Sequence, residues 1–132
     1  MKKHLVVQLA MFLSLSMALL VSCGGPTGPA VVHAKLTEFK IELDDAKIPV
    51  GPVKFIITNE GATTHEVVLE RAGAKDEPFE KDGVKSEAED IAPGASATLE
   101  WTIDEPGEYQ LVCYIEGHFE AGMITPFTVT AK

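Results

Sequence analysis

Residues 113–123 read CYIEGHFEAGM and place Cys113, His118 and Met123 at intervals of five. Thiolate, imidazole and thioether are the softer ligands a protein can offer a metal ion. The chain holds only four histidines and four methionines in 132 residues, so finding one of each at these offsets from a cysteine is a rare coincidence. Glu116-Gly117 and Gly122 are turn formers, so a single loop joining two strands would bring all three donors together.

Such a loop supplies three of the four donors of a trigonal two-histidine, one-cysteine copper site with a weak axial methionine. The fourth must come from elsewhere. His65, in NEGATTHEVVLE, follows a turn at the start of a strand and is placed to reach the same pole. His4 falls in an apolar leader, and His33, in AVVHAK, reads as a surface residue in or beside a tether. Cys113 is flanked by Val112 and Tyr114, not by the histidines that would lead to a trinuclear copper cluster. The loop has no second cysteine for a dinuclear site, and no spare histidine cluster remains for a second copper centre. These gaps argue against a copper enzyme. A methionine with a lone cysteine argues against structural zinc, although the ligand types alone leave zinc open.

The elements that must position these residues have period two. Thr37, Phe39, Ile41 and Leu43 alternate with Glu38, Lys40 and Glu42. Val53, Phe55 and Ile57 share a face, as do Ala97, Leu99, Trp101 and Ile103. Tyr109, Leu111 and Cys113 form another such set, and Phe127, Val129 and Ala131 close the chain. Alternation over short runs marks half-buried strands. Turn residues separate them at Gly51-Pro52, Asn59-Glu60-Gly61, Pro93-Gly94 and Asp104-Glu105-Pro106-Gly107. No helical stripe competes, so the expected fold is all-β: a single-domain Greek-key β-sandwich or barrel. Residues 71–91 break the pattern with a charged run, read as a solvated excursion between strands with one helical turn around Lys85–Asp90.

Ahead of the domain, MKKHLVVQLAMFLSLSMALLVSC has two lysines, an apolar stretch from Leu5 to Val21 and small residues before Cys23. This is an export signal over residues 1–22, although an uncleaved anchor fits the same stretch. Leu20-Val21-Ser22-Cys23-Gly24 resembles a bacterial lipobox, which makes Cys23 the lipidated residue and 23–34 a Gly/Pro-rich tether to a domain at 35–132. The competing use of Cys23, a disulfide with Cys113, suits the same oxidising compartment. Without residues 1–22 the eleven basic side chains lose Lys2 and Lys3, so nine face twenty acidic ones, a net charge of −11. Such a surface disfavours nucleic acid and anionic membrane faces and favours a basic protein partner.

From about residue 35 onward the chain resembles the cupredoxins, the single-domain type 1 copper proteins of the plastocyanin, azurin, auracyanin, rusticyanin and sulfocyanin group. The matching pieces are N-x-G-x-x-x-H at 59–65, D-x-P-G-x-Y-x-x-x-C at 104–113 and C-x4-H-x4-M at 113–123. The resemblance implies one copper ion held by His65, Cys113, His118 and Met123, and electron carriage outside the cytoplasm. It also implies electron exit through His118, with Phe119 and Pro126 on the rim, to a redox protein such as a cytochrome, oxidase or reductase. Tyr109 matches a tyrosine that packs at a strand corner. Many members carry an asparagine after the first histidine to tie the two ligand loops. Here Glu66 stands in its place, leaving Asn59, Thr63 or Thr64 to make that tie. Two other readings fit the same residues: a lipoprotein that binds or delivers copper without redox traffic, and a metal-free adhesive β-domain.

Overall fold

The computed structural model describes residues 28–132. Its strands are β1 (Ala30–Thr37), β2 (Lys40–Leu43), β3 (Lys47–Pro49), β4 (Gly51–Asn59), β5 (His65–Arg71), β6 (Glu80–Lys81), β7 (Val84–Lys85), β8 (Glu87–Ile91), β9 (Ser96–Ile103), β10 (Gly107–Val112) and β11 (Ile124–Thr130). A four-stranded sheet in the order β2-β1-β4-β9 packs against a five-stranded sheet in the order β3-β11-β10-β5-β8, and β6-β7 forms a separate hairpin. The molecule is therefore the all-β sandwich that the period-two patterning implies. No helix of the described residues is long and apolar enough to cross a membrane.

The alternating sets meet between the sheets. Val53, Phe55 and Ile57 of β4 face Tyr109 and Leu111 of β10 and Phe127 and Val129 of β11 in one buried cluster. Phe127 joins Phe55 and Tyr109, with ring centroids 5.7 and 5.9 Å apart. Burying each such side chain contributes about 1.5–3 kcal/mol. A slip of one residue in any strand would turn its set to solvent, so the register is strongly specified. The Tyr109 hydroxyl donates to the Glu105 carbonyl at 2.8 Å, closing the corner between β9 and β10.

Register also fixes two ends. His65 lies opposite Ile91, Val112 opposite Ile124 and Thr58 opposite Ser96 at one end; Arg71 lies opposite Tyr109 and Gly51 opposite Ile103 at the other. All three predicted sulfur and nitrogen donors of the Cys-His-Met loop, and His65, belong to the first end.

The export signal, Cys23 and most of the tether lie outside the described residues. Residues 30–34, assigned to the tether, instead open β1, which runs parallel to β4 from the pair Ala30–Val53 onward; Val32 and Ala34 are buried, so the ordered domain begins earlier than residue 35. Thr37–Leu43 is not one strand but a hairpin: Phe39 has φ 62°, and its ring is exposed. Residues 71–91 carry strands, not a helical turn, because Glu87–Ile91 pairs with β5 as the sheet edge. Ala131 falls beyond β11 and is exposed. His33 is on the surface, as read, bonded to Asp44 at 2.8 Å.

Candidate metal centre

β10 delivers Cys113 to the end of the sandwich with its side chain inward, because it keeps the phase of Tyr109 and Leu111. The chain then turns at Gly117 (φ 82°) and Gly122 (φ 93°), left-handed conformations that glycine adopts without the steric cost of a Cβ. The loop closes on itself through the backbone. Cys113 N donates to Met123 O at 3.1 Å, and Met123 N donates to His118 O at 3.0 Å. The three loop residues are thus tied to one another before any ion is considered, and Met123 lies fully buried in the same cluster as Cys113.

His65 enters from the neighbouring strand. Its Nδ1 lies 3.2 Å from Nδ1 of His118, which in turn lies 3.5 Å from the Cys113 sulfur. The donor atoms of His65, Cys113 and His118 all fall within 4.8 Å of one another. His65 and Cys113 are fully buried, whereas His118 is half-buried. Among the described residues Cys113 forms no disulfide, and the partner considered for it, Cys23, lies outside them.

Asn59 and Glu66 brace this arrangement. Asn59 is buried; its side chain donates to the carbonyls of Thr63 and Ile91, both at 2.8 Å, and accepts the Gly61 N–H at 2.9 Å. Glu66 makes the tie between ligand loops itself, its carboxylate accepting the Tyr114 N–H at 2.9 Å. The asparagine replacement therefore keeps the link from the residue after the first histidine to the residue after the cysteine. Burial raises the Glu66 carboxyl above its ordinary range, while the Tyr114 N–H pulls it back. Phe119 stacks on Tyr114, with centroids 5.2 Å apart. The aromatic ring that meets His118 is instead Phe39, edge-on at 5.5 Å. Phe39 and Glu38 were hidden from sequence reading by the apparent alternation of Thr37–Leu43, and no local signal marks them.

Electrostatics suit a cation. Burial, and then the neighbouring His118 charge, hold the His65 imidazole below its usual range, so the ring stays neutral and keeps a lone pair. Burial pushes the Cys113 thiol up, so it would release its proton to solvent only when a metal ion displaces it. Two imidazole nitrogens and one thiol in this geometry fit copper by donor type. Because the free thiol is protonated at neutral pH, copper loading in weak buffer should release about one proton per ion. Apparent affinity should then rise about tenfold per pH unit below the raised thiol value, as titration calorimetry in buffers of different ionisation enthalpy would report. Uptake without proton release would contradict this electrostatic picture.

The cupredoxin-like domain model matches residues 8–125. Among curated proteins, the copper-resistant cuproprotein CopI of Rubrivivax gelatinosus is 34% identical over 79 residues, covering 54% of this chain and 48% of that protein. The chain thus spans about half the length of the curated relative it matches. Among solved structures, the dithionite-reduced auracyanin of Roseiflexus castenholzii superposes with a TM-score of 0.60 at 21% identity, over 78% of this chain and 99% of that one. Auracyanin A, a "blue" copper protein of Chloroflexus aurantiacus, gives 0.61 at 18% identity over 78% and 100%. At these identities the structural likeness carries the fold.

Proposed function

The chain belongs to the cupredoxin-like family, and from that membership we propose that it is an extracytoplasmic, membrane-tethered type 1 copper protein carrying single electrons between redox partners. One observation carries the reading: a buried histidine at the start of β5 meets the buried cysteine and the histidine of the loop after β10 to within 4.8 Å, with the loop histidine half-buried. His65, Cys113 and His118 would hold the ion, together with the buried Met123 thioether. When bound, the copper supplies a one-electron couple that soft sulfur and imidazole donors accommodate in both states.

The protein's part is to hold still and to choose a partner. The sheets fix His65, and the backbone bonds among Cys113, His118 and Met123 fix the loop, so the donors are set before the electron moves. The half-buried His118, against Phe39, is the route to the surface. The acidic surface selects a basic redox protein, a cytochrome or a copper oxidase or reductase, by complementary charge. Strand β1 begins at Ala30 beside Val53, at the end away from His118. A lipid on Cys23 would therefore hold the domain with its copper pole facing the aqueous compartment.

The similarity to CopI favours a second reading, copper binding or delivery without electron traffic. The two separate in one experiment. A copper-loaded electron carrier should show an intense thiolate-to-copper absorption and exchange electrons with a small basic cytochrome. That exchange should slow by about tenfold or more from low to high salt. A colourless chain that binds only Cu(I) would replace the carrier reading with the second.

A further inference from the structure

The turn between β1 and β2, far from His65 in sequence, lies against both histidines of the centre. With Nδ1 of His65 facing His118 and Cys113, the opposite nitrogen, Nε2, carries the ring proton whenever Nδ1 binds an ion. Among the described residues, that Nε2 is the buried side-chain polar atom without a hydrogen-bond partner. A buried N–H without an acceptor is costly and calls for an explanation. The atom facing it is Oε1 of Glu38, 3.9 Å away.

Two features keep that oxygen in place. It accepts the Ala62 N–H at 2.6 Å and the Thr63 N–H at 3.2 Å, so it is fastened to the loop that leads into His65. Gly61 keeps the space between the groups open. A Cβ there would lie 2.6 Å from Glu38 Oε1 and 3.0 Å from His65 Nε2. Closing the gap to hydrogen-bond length requires a shift of about 1 Å. The next residue, Phe39, holds a left-handed φ of 62°, a strained conformation for a non-glycine residue. That turn is what directs Glu38 to one histidine and Phe39 to the other. Strain of this kind persists where the surroundings impose it, often at functional sites.

We propose that Glu38 is the positioning residue of His65: its carboxylate accepts the Nε2–H of the metal-bound ring, orienting the imidazole and placing a negative charge behind it. A carboxylate behind a ligating histidine raises the ligand's basicity and stabilises the more highly charged ion. Glu38 thus favours the oxidised state of the site. This rests on the copper-binding reading above, and the test separates the two.

The test uses the full chain and its Glu38→Gln and Glu38→Ala variants, loaded with copper. It reads the reduction potential, the electronic and paramagnetic resonance spectra, and solvent exchange of the His65 Nε2–H in the diamagnetic Cu(I) form. The glutamine oxygen still accepts from Ala62, Thr63 and His65 but carries no charge. Glu38→Gln should therefore keep the spectrum while Cu(II) affinity drops about tenfold relative to Cu(I), which raises a one-electron potential by about 59 mV. Glu38→Ala should do the same and also speed exchange of the Nε2 proton. If Glu38 only braces the 61–63 loop, Glu38→Gln will keep the wild-type potential, and that result overturns the assignment whatever Glu38→Ala does. A wild-type chain that takes up no copper would overturn both this inference and the reading on which it rests.

Discussion

Cys113→Ser should deprive the copper-loaded chain of the intense thiolate-to-copper colour expected of it and lower its Cu(I) affinity by more than about 100-fold. The sulfur is fully buried and lies 3.5 Å from His118 Nδ1, so it is a donor the site presents, not an accessible thiol. A serine oxygen is harder, bonds Cu(I) poorly and offers no low-energy charge transfer. Loss of a directly bonded donor should exceed the 10–100-fold typical when only an outer partner is removed. The fold itself should survive. A buried hydroxyl in place of a thiol costs about 1–3 kcal/mol when left without a partner, and the backbone bond from Cys113 N to Met123 O does not involve the side chain. Absorbance and copper titration of folded Cys113→Ser would decide the matter, and a variant that kept the intense band would place the copper elsewhere.

The strands that bear the donors were readable because their faces alternate without ambiguity. In β4 and β11, large apolar residues occupy alternate positions, and water on one side and the core on the other leave one register; β10 keeps the same inward phase, although its other face is covered as well. That Cys113, His118 and Met123 come together is legible because a short loop determines its own geometry. The convergence of His65 on that loop is harder to read, since nothing local distinguishes it from a surface histidine, and only the incomplete loop calls for it. What escaped notice depends on contacts across the chain. Phe39 fits the alternation of Thr37–Leu43 yet sits in a left-handed turn, because Glu38 and Phe39 meet partners more than twenty residues away. β8 reads EAEDI, poor strand material, and becomes a strand because β5 offers an unpaired edge. Glu66 looked like the loss of a brace, but a carboxylate oxygen accepts an N–H as well as an amide oxygen does.

Glu70→Ala should destabilise the domain by about 3 kcal/mol or more, a larger effect than any charged residue of a solvated excursion would produce. The sequence HEVVLER implies that Glu66, Val68 and Glu70 face outward, yet Glu70 is fully buried. It is covered by the segment that follows β5. Its carboxylate accepts from the Tyr114 hydroxyl at 2.6 Å, the Gln110 amide at 2.7 Å and the Glu77 N–H at 2.8 Å. Gln110 extends the network, accepting the Gly73 N–H at 3.0 Å and donating to the Ala74 carbonyl at 3.1 Å. Ser86, also buried, fastens the far side of the excursion by donating to the Leu69 carbonyl and accepting the Phe79 N–H. Residues 73–77 are therefore suspended from two buried side chains on the outer face of the second sheet. Alanine at position 70 leaves three donors without an acceptor, each costing about 1–3 kcal/mol, with water re-entering to recover part of the loss. Glu70→Gln keeps one accepting oxygen but turns an amide toward a donor, so it should lose about half as much. Denaturant unfolding and limited proteolysis of 72–79 would measure both effects, and a change within about 0.5 kcal/mol would return the segment to the status of a surface loop. Copper colour should persist in Glu70→Ala, because the tie between the ligand loops runs through the Tyr114 backbone to Glu66, not through the phenol. Stability lost with colour retained would mark the acidic excursion as a cover that holds the sheet, separate from the loops that hold the metal.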